Sequence, residues 1–382
     1  MMDESRQDVN NLEVQDREVP PLKQLYAYLT DGCNLSCRHC WLDPYTTSEK
    51  KKYRLLSAGL FEKAVGEAKD LGLQAVKLSG GEPLMHPEFT KFLDIIKMNS
   101  LDLVLETNGV LCSEKIAAEI ATVPKRFVSV SIDGCDSETH DWIRRSKGSF
   151  DQAIKAVQML CANGTSPQII MTVMKRNYDQ IASAVLLAEK LGASSIKFNI
   201  VQPTSRGKEM HRGGETLEIG EIIRIGHYVE RELAPSTHIN LFYDYPLAFR
   251  SLSSIAEGDG CSICGIHSII GMIPDGSYAI CGIAGHVKDF ALGSIENDLL
   301  ETVWRESRLL QEIRTGIPDR LDGVCSRCIM KQLCLGSCIA QNYYRRGSLW
   351  APFWFCEEAE KAGVFPESRM AVRETPKGDS ET

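Results

Sequence analysis

The segment Leu25-Tyr26-Ala27-Tyr28-Leu29-Thr30-Asp31-Gly32-Cys33-Asn34-Leu35-Ser36-Cys37-Arg38-His39-Cys40 decides the fold. Its first six residues read as a β-strand, and it ends in a C-x3-C-x2-C triplet. Thiolates are soft ligands, and four of them complete an iron–sulfur cluster. Three closely spaced cysteines hold three irons of a cubane and leave the fourth open. A second array lies far downstream: Cys261, Cys264, Cys281, Cys325, Cys328, Cys334, Cys338 and Cys356. Eight thiolates suffice for two further cubanes with every iron occupied. The pattern predicts one reactive cluster and two closed ones.

Two other readings of the cysteines compete. A disulfide framework suits short secreted chains, and this one is long, carries no secretory signal and has ample core-forming residues. Structural zinc suits C-x2-C pairs such as Cys325/Cys328, but the Cys33–Cys40 triplet has no local fourth ligand. Cys112, Cys135 and Cys161 belong to neither array and read as small buried hydrophobes.

The chain has 382 residues, 43% of them hydrophobic, with a net charge of −8. That length suits one large domain plus a smaller one. No basic stripe with interleaved aromatics points to nucleic acid. No apolar run reaches 18 residues, so no membrane span is expected. Reduced cysteines and oxygen-sensitive clusters predict a cytoplasmic protein of an organism working without oxygen.

Residues 1–24 are polar and read as a disordered tail ending near Pro20-Pro21. Strands are predicted at Leu25–Thr30, Ala75–Leu78, Leu101–Glu106, Phe127–Ile132, Gln168–Val173 and Ser195–Val201. Helices are predicted near Ala58–Leu71, Glu88–Met98, Ser113–Ala121, Phe150–Ala162 and Tyr178–Leu191, with another near Leu217–Glu232. Six β/α units in series imply a parallel sheet of the α/β class, an open partial barrel over 25–235. After about residue 235 the rhythm breaks into glycines, turns and cysteines. A second, cluster-bearing domain is expected over 255–365, with a hairpin at Ile273–Ile280 turning at Asp275-Gly276 and one amphipathic helix at Leu299–Arg314. Residues 366–382 read as a mobile tail.

With these motifs in place, the chain resembles the radical S-adenosylmethionine (SAM, AdoMet) superfamily in its SPASM-domain subgroup, over roughly residues 25–360. The resemblance implies that Cys33, Cys37 and Cys40 hold a [4Fe-4S] cluster whose open iron binds AdoMet. It implies reductive cleavage of AdoMet to a 5′-deoxyadenosyl radical that takes a hydrogen atom from the substrate; the cofactors carry that chemistry. His39 holds the family's aromatic position and is implied to touch the adenine; the plain alternative is a helix-start histidine. Gly80, Gly81 and Glu82 match the motif that binds the AdoMet amino group, because glycines allow close approach and a carboxylate holds an ammonium. Asn108, Ser131 and Asp133 are implied near the ribose or carboxylate, although Asn-Gly and Asp-Gly are also ordinary turn dipeptides. Arg144 matches an arginine that pairs with the AdoMet carboxylate; a solvated surface arginine is the alternative. Asn177 is a weaker candidate of the same kind.

By the same resemblance the second array splits into two auxiliary [4Fe-4S] clusters, one on Cys261, Cys264, Cys281 and Cys338, the other on Cys325, Cys328, Cys334 and Cys356. Such interleaving staples the small domain, and the clusters either conduct an electron or are structural. Some relatives of this type that oxidise sulfatases carry an aspartate base directly after the cysteine at the Cys281 position; here that residue is Gly282. Only about 24 residues precede the first strand, too few for a leader-peptide-binding domain, so a separate recognition protein or direct recognition is expected.

The leading expectation is an enzyme that modifies a ribosomally made precursor peptide by a thioether or carbon–carbon cross-link or by epimerisation, supplied with electrons by a flavodoxin or ferredoxin. The alternatives are a radical SAM enzyme of tetrapyrrole or other small-molecule chemistry, and a non-catalytic electron-transfer protein. No general base stands out; Asp244, His267 and Tyr278 are candidates near the auxiliary cysteines.

Overall fold

The computed structural model describes residues 19–46, 52–256, 264–285 and 287–371. Its centre is one ten-stranded sheet. The strands are β1 (Gln24–Tyr28), β2 (Ala75–Ser79), β3 (Asp102–Thr107), β4 (Arg126–Ser131), β5 (Gln168–Val173), β6 (Ser195–Ile200), β7 (Asn240–Tyr243), β8 (Ile269–Met272), β9 (Ser277–Ala279) and β10 (Ala291–Ser294). Their order is β10-β9-β8-β1-β2-β3-β4-β5-β6-β7. From β8 through β1 to β7 every pairing is parallel; β8, β9 and β10 pair antiparallel.

The six expected strands are present, and the sheet grows at both ends beyond them. β7 adds parallel to β6. At the other edge β8, from the cysteine-rich region, adds parallel to β1 with Gln24 opposite Ile269. The expected boundary between barrel and second domain therefore does not divide the sheet. The hairpin turns where expected: Ile273 N–H bonds Ser277 O at 2.9 Å, and Gly276 takes φ +86°, open to glycine without a Cβ penalty.

Helices α1 (Ala58–Lys69), α2 (Phe89–Met98), α3 (Glu114–Ala121), α4 (Ser137–Arg144), α5 (Ser149–Ala162) and α6 (Ile181–Leu191) follow the strands. Phe61 of α1 and Phe92 of α2 are fully buried, with ring centroids 4.9 Å apart. They share a core with Leu25, Ala27, Val76, Leu78, Leu103 and Leu105. In β1, β2, β3 and β6 these apolar residues alternate with polar ones, so the opposite sheet face carries Tyr26, Lys77, Glu106 and Lys197. That polar face forms the floor of the site.

Several expectations need correction. α4 was not anticipated; its N-cap Asp136 accepts from Thr139 N at 2.7 Å, and only Thr139, His140, Ile143 and Arg144 bury. Helix α7 (Ser205–Arg212) also lay outside the reading, whereas α8 (Ile219–Tyr228) matches and widens into a π turn at Val229–Leu233. The helix expected at Leu299–Arg314 is two, Leu300–Glu306 and Arg308–Gly316, broken at Ser307 with ψ 119°. Arg314 stabilises the break by donating to the Trp304 carbonyl at 2.7 Å while stacking on the Trp304 ring. The tails are shorter than expected. Leu22 is fully buried and Trp304 Nε1 donates to Pro20 O, while Arg369 donates to Arg250 O at 2.9 Å. Residues 1–18 and 372–382 lie outside the described residues.

Candidate active site

The cysteine triplet follows β1 and is held by backbone contacts from the loop after β2. Gly81 N bonds Thr30 O at 2.7 Å and Glu82 N bonds Gly32 O at 2.9 Å. Gly80 sits at φ +129°, where a Cβ would lie 2.6 Å from Thr30 O. A Cβ on Gly81 would lie 2.0 Å from Gly32 O. Both glycines are needed by the chain's own backbone, in addition to facing the cleft. Glu82 is 1% exposed and its carboxylate accepts from Thr107 Oγ1, Asn108 N and Leu84 N. Burial pushes its pKa up, and those hydrogen bonds oppose the shift. Asn108 accepts from Val110 N, in a turn, and donates to Asn34 Oδ1 at 2.8 Å beside Cys33. Both its turn role and its place at the cleft wall are therefore realised.

A buried ionic group supports the triplet from the other side. Arg144 Nε lies 2.8 Å from Asp133 Oδ2, and Arg144 Nη1 reaches Cys37 Sγ at 3.6 Å. Arg144 is 6% exposed, so the surface reading fails. Burial alone would lower its pKa, but Asp133 and Cys37 outweigh it. Asp133 is wholly buried, accepts from Thr172 N and does not line the cleft. It anchors Arg144 instead of facing a ribose. Asn177 likewise turns inward, bonding Asp133 O, Thr172 O and Met174 N. Ser131 does line the cleft.

His39 lines the cleft with its Nδ1 buried and without a partner among the described residues. Its Nε2 lies 3.6 Å from Asp133. Burial lowers its pKa to about 4 against the pull of Asp133, so this contact is a neutral imidazole on a carboxylate. The unpartnered nitrogen fits a ligand hydrogen-bond donor or acceptor such as an adenine edge.

Two arginines that sequence reading missed fix the triplet loop. Arg38 donates to Trp142 O at 3.1 Å and stacks on the Trp142 ring. Arg206, at the start of α7, donates to Cys37 O at 2.9 Å and pairs with Asp43 at 2.6 Å.

The cleft has a volume of about 400 Å³. Cys33, Cys37 and Cys40 line it together with Cys264, Cys281 and Cys338. Cys261 lies outside the described residues. Cys325, Cys328, Cys334 and Cys356 instead surround a separate, mostly apolar cavity with Val324, Phe353 and Phe365. Burial first, then neighbouring thiols, pushes Cys281 and Cys334 up to about 12 and Cys325 to about 11. Buried thiols with raised pKa values are released as thiolates by a bound cationic centre. Among the described residues no three His, Cys, Asp or Glu side chains are gathered as ligands of one metal ion, and none of the described cysteines forms a disulfide. The donor set, all sulfur around two cavities, fits clusters larger than a single ion.

Two other candidates fall away from the cleft. His267 does not line it, and Tyr278 is fully buried with its hydroxyl unpartnered among the described residues. Cys112 is buried as expected, whereas Cys135 and Cys161 are half-buried and touch backbone carbonyls. Asp244 lines the cleft, 3.9 Å from Lys197. The floor between the two cysteine groups adds Tyr26, Tyr28, Lys77, Glu106 and Asn199. Polar residues alternating with apolar ones in the predicted strands were the available signal.

Residues 27–188 match the Radical SAM superfamily. That segment is a radical SAM domain. The chain is 27% identical over 359 residues to the mycofactocin maturase MftC of Mycolicibacterium smegmatis, covering 92% of this chain and 86% of the relative. It is 29% identical over 338 residues to the AdoMet-dependent heme synthase of Methanosarcina barkeri, covering 84% and 91%. The fold is shared with Streptococcus suis SuiB bound to precursor peptide SuiA, with TM-score 0.71 at 18% identity over 91% and 79% of the two chains. No helix among the described residues is long and apolar enough to cross a membrane.

Proposed function

We propose that the enzyme oxidatively modifies a ribosomally made peptide in the cleft between the two cysteine groups. The observation that carries this reading is the cleft itself, which has Cys33, Cys37 and Cys40 at one wall and Cys264, Cys281 and Cys338 at another, across a polar floor. Similarity to a mycofactocin maturase over 92% of the chain supports a peptide substrate. A reduced [4Fe-4S] cluster on the triplet supplies, when bound, the electron that cleaves AdoMet and generates the hydrogen-abstracting 5′-deoxyadenosyl radical. The chain's residues set the stage for it. His39 offers its open Nδ1 to the adenine, Arg144 presents a fixed cation beside Cys37, and Glu82 stiffens the loop that meets the AdoMet amino end.

The two auxiliary clusters are assigned to Cys261, Cys264, Cys281 and Cys338, and to Cys325, Cys328, Cys334 and Cys356. Support comes from the two cavities, which separate the described members of these sets. Cys264, Cys281 and Cys338 of the first set border the cleft, which suits that set to accept an electron from substrate. A flavodoxin- or ferredoxin-type donor delivers the reducing electron. Tetrapyrrole oxidation is the second reading, favoured by the 29% identity to a heme synthase.

The test is anaerobic co-expression with a short peptide encoded beside the gene, followed by mass spectrometry. A loss of two mass units per site establishes oxidative cross-linking. Unchanged mass with deuterium uptake from heavy water establishes epimerisation. An unmodified peptide, together with visible-band shifts on adding porphyrins, refutes the peptide reading and supports the second.

A further inference from the structure

Removing two hydrogens from a substrate to form one new bond has a fixed balance. One hydrogen leaves as an atom and becomes the third hydrogen of the 5′-methyl group of 5′-deoxyadenosine. The other leaves as a proton, and one electron leaves with it. If the electron goes to an iron–sulfur centre on the Cys264, Cys281 and Cys338 side, a base in the cleft must take the proton. This step rests on the oxidative reading above.

The residue after Cys281 cannot be that base. It is Gly282, and a Cβ there would lie 2.2 Å from Tyr28 Cζ and 2.4 Å from the Tyr28 hydroxyl. The phenol fills the space a side chain would need. Three carboxylates line the cleft among the described residues: Glu82, Glu106 and Asp244. Glu82 is 1% exposed, and Thr107, Asn108 and Leu84 already donate to it. Asp244 lies on the far side, 3.9 Å from Lys197, toward Cys338.

Glu106 differs from both. Its side chain is 36% exposed and faces the cleft. It immediately precedes Thr107 and Asn108, whose side chains reach Glu82 and Cys33. Ser79, which reaches Glu106, lies opposite Tyr28 in the sheet, and the Tyr28 ring lies against Gly282, the residue after Cys281. Glu106 therefore stands between the place where the hydrogen atom is taken and the place where the electron leaves. Lys77 Nζ holds Glu106 Oε1 at 2.6 Å, and Ser79 Oγ is 3.4 Å from Oε2. Lys197 on β6, Tyr26 and Tyr28 on β1 and Asp244 after β7 are the other charged or titratable groups of the floor. Burial alone would raise the Glu106 pKa, but Lys77 and then Lys197 outweigh it and hold the carboxylate ionised, in the form that accepts a proton.

We propose that Glu106 is the catalytic proton acceptor of the oxidation and that Lys77 positions it. The substrate proton moves to Glu106 Oε as the new bond forms and the substrate electron leaves toward the Cys281 side. The substrate carbon or heteroatom bound to that proton is thus placed within hydrogen-bond reach of Glu106.

The experiment compares reconstituted full-length wild type, Glu106→Gln, Glu106→Asp and Asp244→Asn, reading product and 5′-deoxyadenosine separately in heavy water with the peptide substrate. The ratio of product to 5′-deoxyadenosine should fall by roughly 100-fold in Glu106→Gln, the usual scale for loss of a general base. Unmodified peptide should gain solvent deuterium at the abstraction site, because a stalled substrate radical there takes one electron from the flavodoxin- or ferredoxin-type donor and one deuteron from heavy water. Glu106→Asp should recover part of the ratio, which also controls for misfolding. An equal loss of product and 5′-deoxyadenosine without deuterium uptake overturns the proposal. So does uncoupling confined to Asp244→Asn. A wild type that forms 5′-deoxyadenosine without losing two mass units from the peptide instead sinks the oxidative reading on which the proposal rests.

Discussion

Placing any side chain at position 282 should destabilise this protein through one ring. The Cβ of Gly282→Ala would stand 2.2 Å from Tyr28 Cζ, 2.3 Å from Cε1 and 2.4 Å from the hydroxyl. Ordinary carbon contacts are about 3.5–4.0 Å, so the overlap exceeds an ångström. Neither partner yields easily. Tyr28 belongs to β1, which is paired on both sides, and its side chain is 6% exposed. Gly282 follows Cys281, whose backbone packs against Gly271 of β8. Overpacking typically costs 1–3 kcal/mol, and constraint on both sides puts this case near the top, about 3 kcal/mol. The assay is urea unfolding of the reconstituted enzyme without oxygen. Tyr28→Phe keeps Cζ and should not rescue Gly282→Ala. Tyr28→Leu removes the ring and should recover about 2 kcal/mol in a double-mutant cycle. A Gly282→Ala protein as stable as wild type, or full rescue by Tyr28→Phe, would refute the reasoning.

Metal content and acid sensitivity give two further expectations. Reconstituted wild type should hold about 12 irons, as three cubanes require, and joint replacement of Cys33, Cys37 and Cys40 by alanine should remove about four and abolish AdoMet cleavage; unchanged iron shows that the triplet holds no cluster. His140 is 1% exposed, its Nδ1 accepts from Asp133 N at 3.1 Å, and burial followed by Arg144 lowers its pKa from 6.5 to about 4. The unfolded chain then binds the proton that the folded chain refuses, so stability falls as pH drops from 6.5 toward 4, by about 2 kcal/mol at pH 5. His140→Gln should flatten that slope in urea titrations at several pH values, and an unchanged slope counts against the assignment.

The β/α rhythm was legible because each unit carries its own signal. Leu25, Ala27, Val76, Leu78, Leu103 and Leu105 alternate in strands, and Phe61, Ala64, Val65 and Ala68 recur at helical spacing. What was not legible was non-local. The pairing of β8 with β1 joins residues 24–27 to 269–272, and no local pattern announces it. Helix α4 escaped because its eight residues are mostly polar and its docking is to the triplet loop through Arg38 and Trp142. Motif residues were found by position, but position does not tell which way a side chain points. Ser131 faces the cleft, whereas Asp133, two residues on, turns back to hold Arg144, and Asn177 braces the loop beneath it.

The shared sheet ties the two cysteine groups of the cleft to one framework. Cys281 follows directly on β9 and its hairpin with β8, and β8 is hydrogen-bonded to the strand that leads into Cys33. A separate domain on a linker would leave the distance between the two groups to domain motion. Here that distance is set by strand register, and a one-residue slip would turn buried Ile270 and Met272 toward the other face. The same register places Tyr26 opposite Lys77 and Tyr28 opposite Ser79. The floor of the cleft and the cysteines at its walls are therefore fixed by one hydrogen-bonded network. The oxidation proposed above, with a hydrogen atom taken at one end and an electron leaving at the other, needs that fixed span more than it needs a flexible lid.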